Sequence, residues 1–98
     1  SFVIRRDEPI PFSILDQFLR SLQGYRGPDL LRIKGLVYLR DSPARPTVIH
    51  GVQGQMHPPT TLKRWPTSTR KTELVFITRG ISHQDVENLL SGIEKGFR

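Results

Sequence analysis

From Leu30 to Arg40 the sequence reads LLRIKGLVYLR. Leu31, Ile33, Gly35, Val37 and Leu39 fall on one side of a period-two register, and Arg32, Lys34, Leu36, Tyr38 and Arg40 on the other. Such a strand asks for a core against one face only. The other face is basic and partly aromatic, so it is either solvated or docked against something.

Two helical stripes supply the cover. Leu15, Phe18, Leu19 and Leu22 recur at i, i+3, i+4 and i+7. Ser13 stands three residues before Asp16 and predicts an N-terminal cap, while Gly24 predicts the stop. Near the end, Val86, Leu89, Leu90 and Ile93 make a second stripe, opened by a Ser82–Asp85 capping arrangement and closed near Gly96.

Further strands are expected at Phe2–Arg6, Thr47–Gln53 and Thr72–Thr78. Asp7–Pro11 breaks the first, because neither proline can donate to a ladder. Gly51 and Gly54 mark a bulge or a close backbone approach in the second. The run Leu74–Ile77 is apolar at four successive positions and predicts a central strand buried on both sides. Between them, Pro58, Pro59 and Pro66 keep Gln55–Thr69 out of any central strand. The resulting order is β-α-β-β-(β)-β-α. It implies an α+β two-layer sandwich, a mostly antiparallel sheet of four to five strands with two helices on one face.

Ninety-eight residues make one domain, 1–98. The chain has no cysteine, which removes disulfides, thiolate metal sites and cysteine nucleophiles. No apolar run approaches the roughly 20 residues of a membrane span, and Ser1–Arg6 has no signal-peptide pattern. Those opening residues read as a strand belonging to a longer polypeptide, and a cytoplasmic location is expected. The formal charge is +6, with eleven Arg and four Lys, but no uninterrupted basic run exceeds two residues. A solvated basic surface therefore fits better than a nucleic-acid footprint.

No group of residues has the form of a catalytic site. Gly51-Val52-Gln53-Gly54 lacks the spacing and the lysine of a P-loop. Ser82, His83 and Asp85 are neighbours, but helix capping accounts for the serine and the aspartate. His50 and His57 lie seven apart, which on strict alternation puts them on opposite faces unless a bulge intervenes. His83 is remote in sequence. A complete metal site within the chain is not expected; His57 alone, as one ligand of a site shared with another domain, is the better metal candidate. Trp65 either packs against the sheet or marks an interface.

Five features, in order along nearly the whole chain, resemble the C-terminal domain of CobW-type proteins. They are Pro11-Phe12, Arg32-Ile33-Lys34-Gly35, Gly51-Val52-Gln53, the corner His57-Pro58-Pro59 with Leu62 and Trp65-Pro66, and Thr72–Ile77. At Glu73 the sequence departs from the basic residue that this last signature leads one to expect. The resemblance implies one part of a larger P-loop GTPase, with the N-terminal GTPase domain lying outside this sequence. That protein would be a metallochaperone for cobalt or zinc, in cobalamin synthesis among other settings. GTP with Mg²⁺, and Zn or Co, belong to it rather than to this chain, in which no cofactor is expected. The implied role here is non-catalytic: docking to the GTPase domain or to a metalloenzyme client through Arg32, Lys34, Tyr38, Arg40 and Trp65. Two alternatives come from other classes, a basic nucleic-acid-binding module and a self-sufficient metal carrier using His50, His57 and His83.

Overall fold

The computed structural model describes residues 1–96. Strand β1 (Phe2–Arg6) leads through an irregular turn into helix α1 (Phe12–Arg26) and a 3₁₀ turn, Gly27–Asp29. Strands β2 (Leu30–Val37), β3 (Thr47–Val52), β4 (Gln55–Met56), β5 (Thr60–Thr61) and β6 (Thr72–Thr78) follow, and helix α2 (His83–Gly96) comes last. The sheet runs β1-β6-β2-β3-β4, with β5 also paired to β3. Each of these ladders is antiparallel. The expected two-layer α+β sandwich is therefore what forms. Two dipeptide strands at the proline-rich edge bring the strand total to six.

One core lies between the sheet and both helices. Ile4, Ile33, Val37, Ile49, Leu74 and Phe76 come from the sheet; Ile14, Leu15, Phe18 and Leu22 come from α1, and Val86, Leu90 and Ile93 from α2. Phe76 is its centre. Phe2 stacks on it at 5.3 Å between ring centres, and Phe18 meets it edge-on at 6.3 Å. Apolar area removed from water at about 25 cal/mol per Å² is the driving force that holds the two layers together.

Four local expectations are corrected. Ser13 does not cap α1: the helix begins after Pro11, and the Phe12 amide donates to Asp41 Oδ1 at 2.8 Å, a carboxylate delivered by the β2–β3 connection. Gly24 does not end α1 either. It lies in open space on the exposed side, so the helix runs on to Arg26. Leu30, not Leu31, enters the core, because a register shift between Leu30 and Arg32 rotates the start of β2. Finally, Leu74–Ile77 is covered on one side only. β6 does sit between β1 and β2, but Val75 is 44% exposed and Ile77 41%. With both helices committed to one face, no third layer remains among the described residues to cover the other.

The second helix starts as its sequence predicts. The Asp85 amide donates to Ser82 Oγ at 3.0 Å and the Ser82 amide to Asp85 Oδ2 at 3.2 Å. At Gly35 a Cβ would run into the Glu73 carbonyl of the neighbouring strand, so β2 and β6 pack closely there only without a side chain. Among the described residues no helix is long and apolar enough to cross a membrane.

Candidate functional site

Alternation along the four long strands decides what the uncovered face presents. Since Ile33, Ile49, Leu74 and Ile4 point to the helices, the opposite side carries Arg32, Lys34 and Leu36 of β2 and Val48, His50 and Val52 of β3. Glu73, Val75 and Ile77 of β6 and Val3 and Arg5 of β1 complete it. The register sets Arg32 beside Ile77 and Lys34 beside Val75. These four residues and Gly35 line a shallow depression of about 400 Å³. Apolar side chains thus floor the face, and two cations rim it.

The charges on this face are unequal. Glu73 is its acidic member, and it is already engaged by Arg5 at 3.2 Å and Lys71 at 3.4 Å. Among the described residues neither Arg32 nor Lys34 has a carboxylate partner. The departure at Glu73 thus adds two ion pairs, to Arg5 and Lys71, and neither involves the β2 cations.

The other interface candidates lie elsewhere. Tyr38 follows the end of β2 and meets Trp65 edge-on, ring centres 5.5 Å apart. Trp65 is half-buried and donates its indole N–H to the Pro43 carbonyl at 3.0 Å, which fastens the Leu62–Pro66 corner to the β2–β3 connection. Arg40 belongs to the turn after Leu39, its amide bonded to the Ile10 carbonyl at 2.8 Å. Arg32 and Lys34 are thus brought together with apolar residues, whereas Tyr38 and Trp65 form a separate packed pair.

The histidines are arranged otherwise than alternation along one strand predicts. β3 turns back through Gln53 (φ 50°) and Gly54 (φ 78°), a two-residue loop in the left-handed conformation that suits a tight hairpin. Gly51 pairs with Met56 and Val52 with Gln55. One pair further out, the His57 amide donates to the His50 carbonyl at 2.9 Å. Directly opposed residues of an antiparallel pair share a face, and the two imidazoles lie 4.8 Å apart, tilted by 38°. Partial burial, then His57, Arg32 and Lys34, lower the His50 pKa below its ordinary 6.5. His83 is remote from both and stacks on Phe2 at 5.1 Å. No group of three or more metal-ligating His, Cys, Asp or Glu side chains gathers among the described residues. Gly54, at the second position of that loop, is the one mark of the hairpin in the sequence.

Comparison with known proteins agrees with this geometry. The family model for the cobalamin synthesis protein cobW C-terminal domain matches residues 1–94. No curated protein matches the chain. Among solved structures it is similar to the Zn(II)-bound YjiA GTPase from E. coli, with TM-score 0.81 and 21% identity. It is similar also to a Zn(II)-bound triple mutant of YjiA GTPase, with TM-score 0.82 and the same identity. Each superposition covers 94% of this chain but 28% of the GTPase chain.

Proposed function

This chain belongs to the CobW C-terminal domain family, and on that premise we propose that it is the non-catalytic docking and regulatory domain of a P-loop GTPase that delivers cobalt or zinc to a client enzyme. The GTPase domain of the same protein is its first partner and a metalloenzyme client its second. GTP, Mg²⁺ and the delivered metal are handled by the whole protein, which works in the cytoplasm, with cobalamin synthesis one setting. Two features support this reading: the family membership, and the likeness in fold to a portion of a larger chain described as a GTPase.

The observation that carries it is the uncovered sheet face. Val75 and Ile77 are large apolar side chains more than 40% exposed in the middle of a sheet, flanked by Arg32 and Lys34, cations with no carboxylate partner among the described residues. Isolated exposed apolar residues are commonplace, but an apolar floor with a charged rim has the composition of an interface. A partner surface with apolar residues ringed by carboxylates complements it. The same face argues against a nucleic-acid module, because its strands present no Phe, Tyr or Trp there on which bases could stack.

The test adds the separately produced GTPase domain to this chain and measures affinity and GTP turnover. Ile77→Asp and the double change Arg32→Glu with Lys34→Glu should each weaken association at least about tenfold, the size of a hot-spot effect. Their thermal stability should stay near the parent's, since both sites are exposed. Association unaffected by either change would overturn the assignment of this face. Tight, salt-dependent binding to generic duplex DNA instead would overturn the functional class.

A further inference from the structure

We propose that His50 and His57 together form an open, two-imidazole binding site for a divalent transition-metal ion of the Zn²⁺ or Ni²⁺ class. The remaining coordination positions are left to water or to a partner's side chains. The inference goes beyond docking. It rests on the β3–β4 hairpin, and the GTPase domain is not needed for it.

The geometry is cross-strand. Continuing the register from Gly51↔Met56 places His50 opposite His57, and the backbone bond between them at 2.9 Å fixes that pairing. A tetrahedral ion about 2.0–2.1 Å from two ring nitrogens holds them roughly 3.3 Å apart. Rings centred 4.8 Å apart are within reach of that separation by small rotations of the side chains. Imidazole pairs suit Zn²⁺, Ni²⁺ and Cu²⁺, whereas Mg²⁺ and Ca²⁺ call for oxygen ligands.

The hairpin is held so that the pair does not drift. The Gln53 and Gly54 amides donate to the Leu31 and Leu30 carbonyls, each at 3.0 Å, and the Gln23 side chain donates to the Gly54 carbonyl at 2.8 Å. Past the pair, Pro58 confines His57 to extended backbone, which leaves fewer conformers to lose on binding. A register slip of one residue would move the rings to opposite faces; the contacts to α1 and β2 prevent it.

The site is also built to be loose. It has two ligands, no third His, Asp or Glu grouped with them among the described residues, and a fixed positive charge on Lys34 directly across from His50. Both features favour exchange of the ion over retention. This is the chemistry of a transfer point, not of a structural metal centre, whose four ligands close around the ion.

The test titrates the folded chain with ZnCl₂ and NiCl₂, with MgCl₂ as the hard-cation control, and follows the imidazole resonances of all three histidines. One equivalent of zinc or nickel should perturb His50 and His57 together, on a single binding curve, while His83 stays put and magnesium moves none. Replacement of His57 by Gln (H57Q) should lower the affinity at least about tenfold, no less than the loss of a supporting outer-shell group. H50Q should do the same, and a thermal melt of each variant checks that the fold survives. Silence of both rings at millimolar zinc would overturn the proposal, as would affinity retained in both variants. Two independent curves for His50 and His57 would overturn it too, since they would mean that the rings only pack against each other. None of these results bears on Ile77 or the GTPase domain, so the docking reading stands or falls separately.

Discussion

Arg6 in the first strand lies 3.0 Å from Glu94 in the last helix, and the same guanidinium reaches Glu87 at 2.8 Å. The Arg6 side chain is 18% exposed. Burial by itself would lower its pKa, but hydrogen bonds to Glu94 and Glu87 outweigh it and raise the pKa above the ordinary arginine value. Removing the arginine strands two half-buried carboxylates. Arg6→Met should therefore cost about 2 kcal/mol in urea unfolding, within the range of a charged hydrogen bond and below that of breaking a fully buried pair. A loss under about 0.5 kcal/mol, the scale of a surface pair, would show that the network is only solvated charge.

Asp29 makes acid stability measurable at one carboxylate. It accepts from Arg26 at 2.8 Å and from Arg79 at 3.2 Å. The Arg26 hydrogen bond first, then that of Arg79, hold its pKa below the ordinary 3.8. A carboxylate with a lowered folded-state pKa stabilises above its unfolded value and loses that contribution as pH falls through the folded one. Melting temperatures of the parent and of Asp29→Asn should thus differ from neutral pH down to about 4 and converge below the ordinary value. A gap that stays constant far into acid would assign the effect to something other than ionisation.

Two glycines should respond to alanine in opposite directions. At Gly35 the new Cβ meets the Glu73 carbonyl, backbone that cannot rotate away, so β2 and β6 must separate. The change should cost at least about 3 kcal/mol, at or beyond the upper end of ordinary overpacking. At Gly92, inside α2, nothing lies within 4 Å of the added Cβ. There alanine should stabilise by about 0.5–1 kcal/mol through helix propensity. Thermal melts of both variants decide it, and equal effects would contradict the close approach of β2 to β6.

What could be read from the sequence was local. Phe2–Arg6 and Thr72–Thr78 were legible because their patterns and flanking breakers lie within a few residues, and the Ser82–Asp85 box because its partners are three apart. The cap of α1 was not, since its acceptor Asp41 sits 29 residues away. Nor was the exposure of Val75 and Ile77: an apolar run states what a strand tolerates, not how many layers the chain can supply. Arg32 and Lys34 were readable as a row, yet their apolar neighbours come from β6 and only strand order brings them together. The His50–His57 pair failed for a third reason. Seven residues along one strand and seven across a hairpin give opposite answers about facing, and Gln53-Gly54 decides between them.

Strand order also has a consequence for synthesis. Among the described residues β1 pairs only with β6 in this sheet, so the β6 edge of the central ladder stays open until Phe2 has found Phe76. During synthesis β1 therefore stays unmatched until β6 has followed it. Closing so large a loop is an entropic barrier that local hairpins such as β3–β4 do not face. Completion of this sheet accordingly waits on a pairing between its most distant strands.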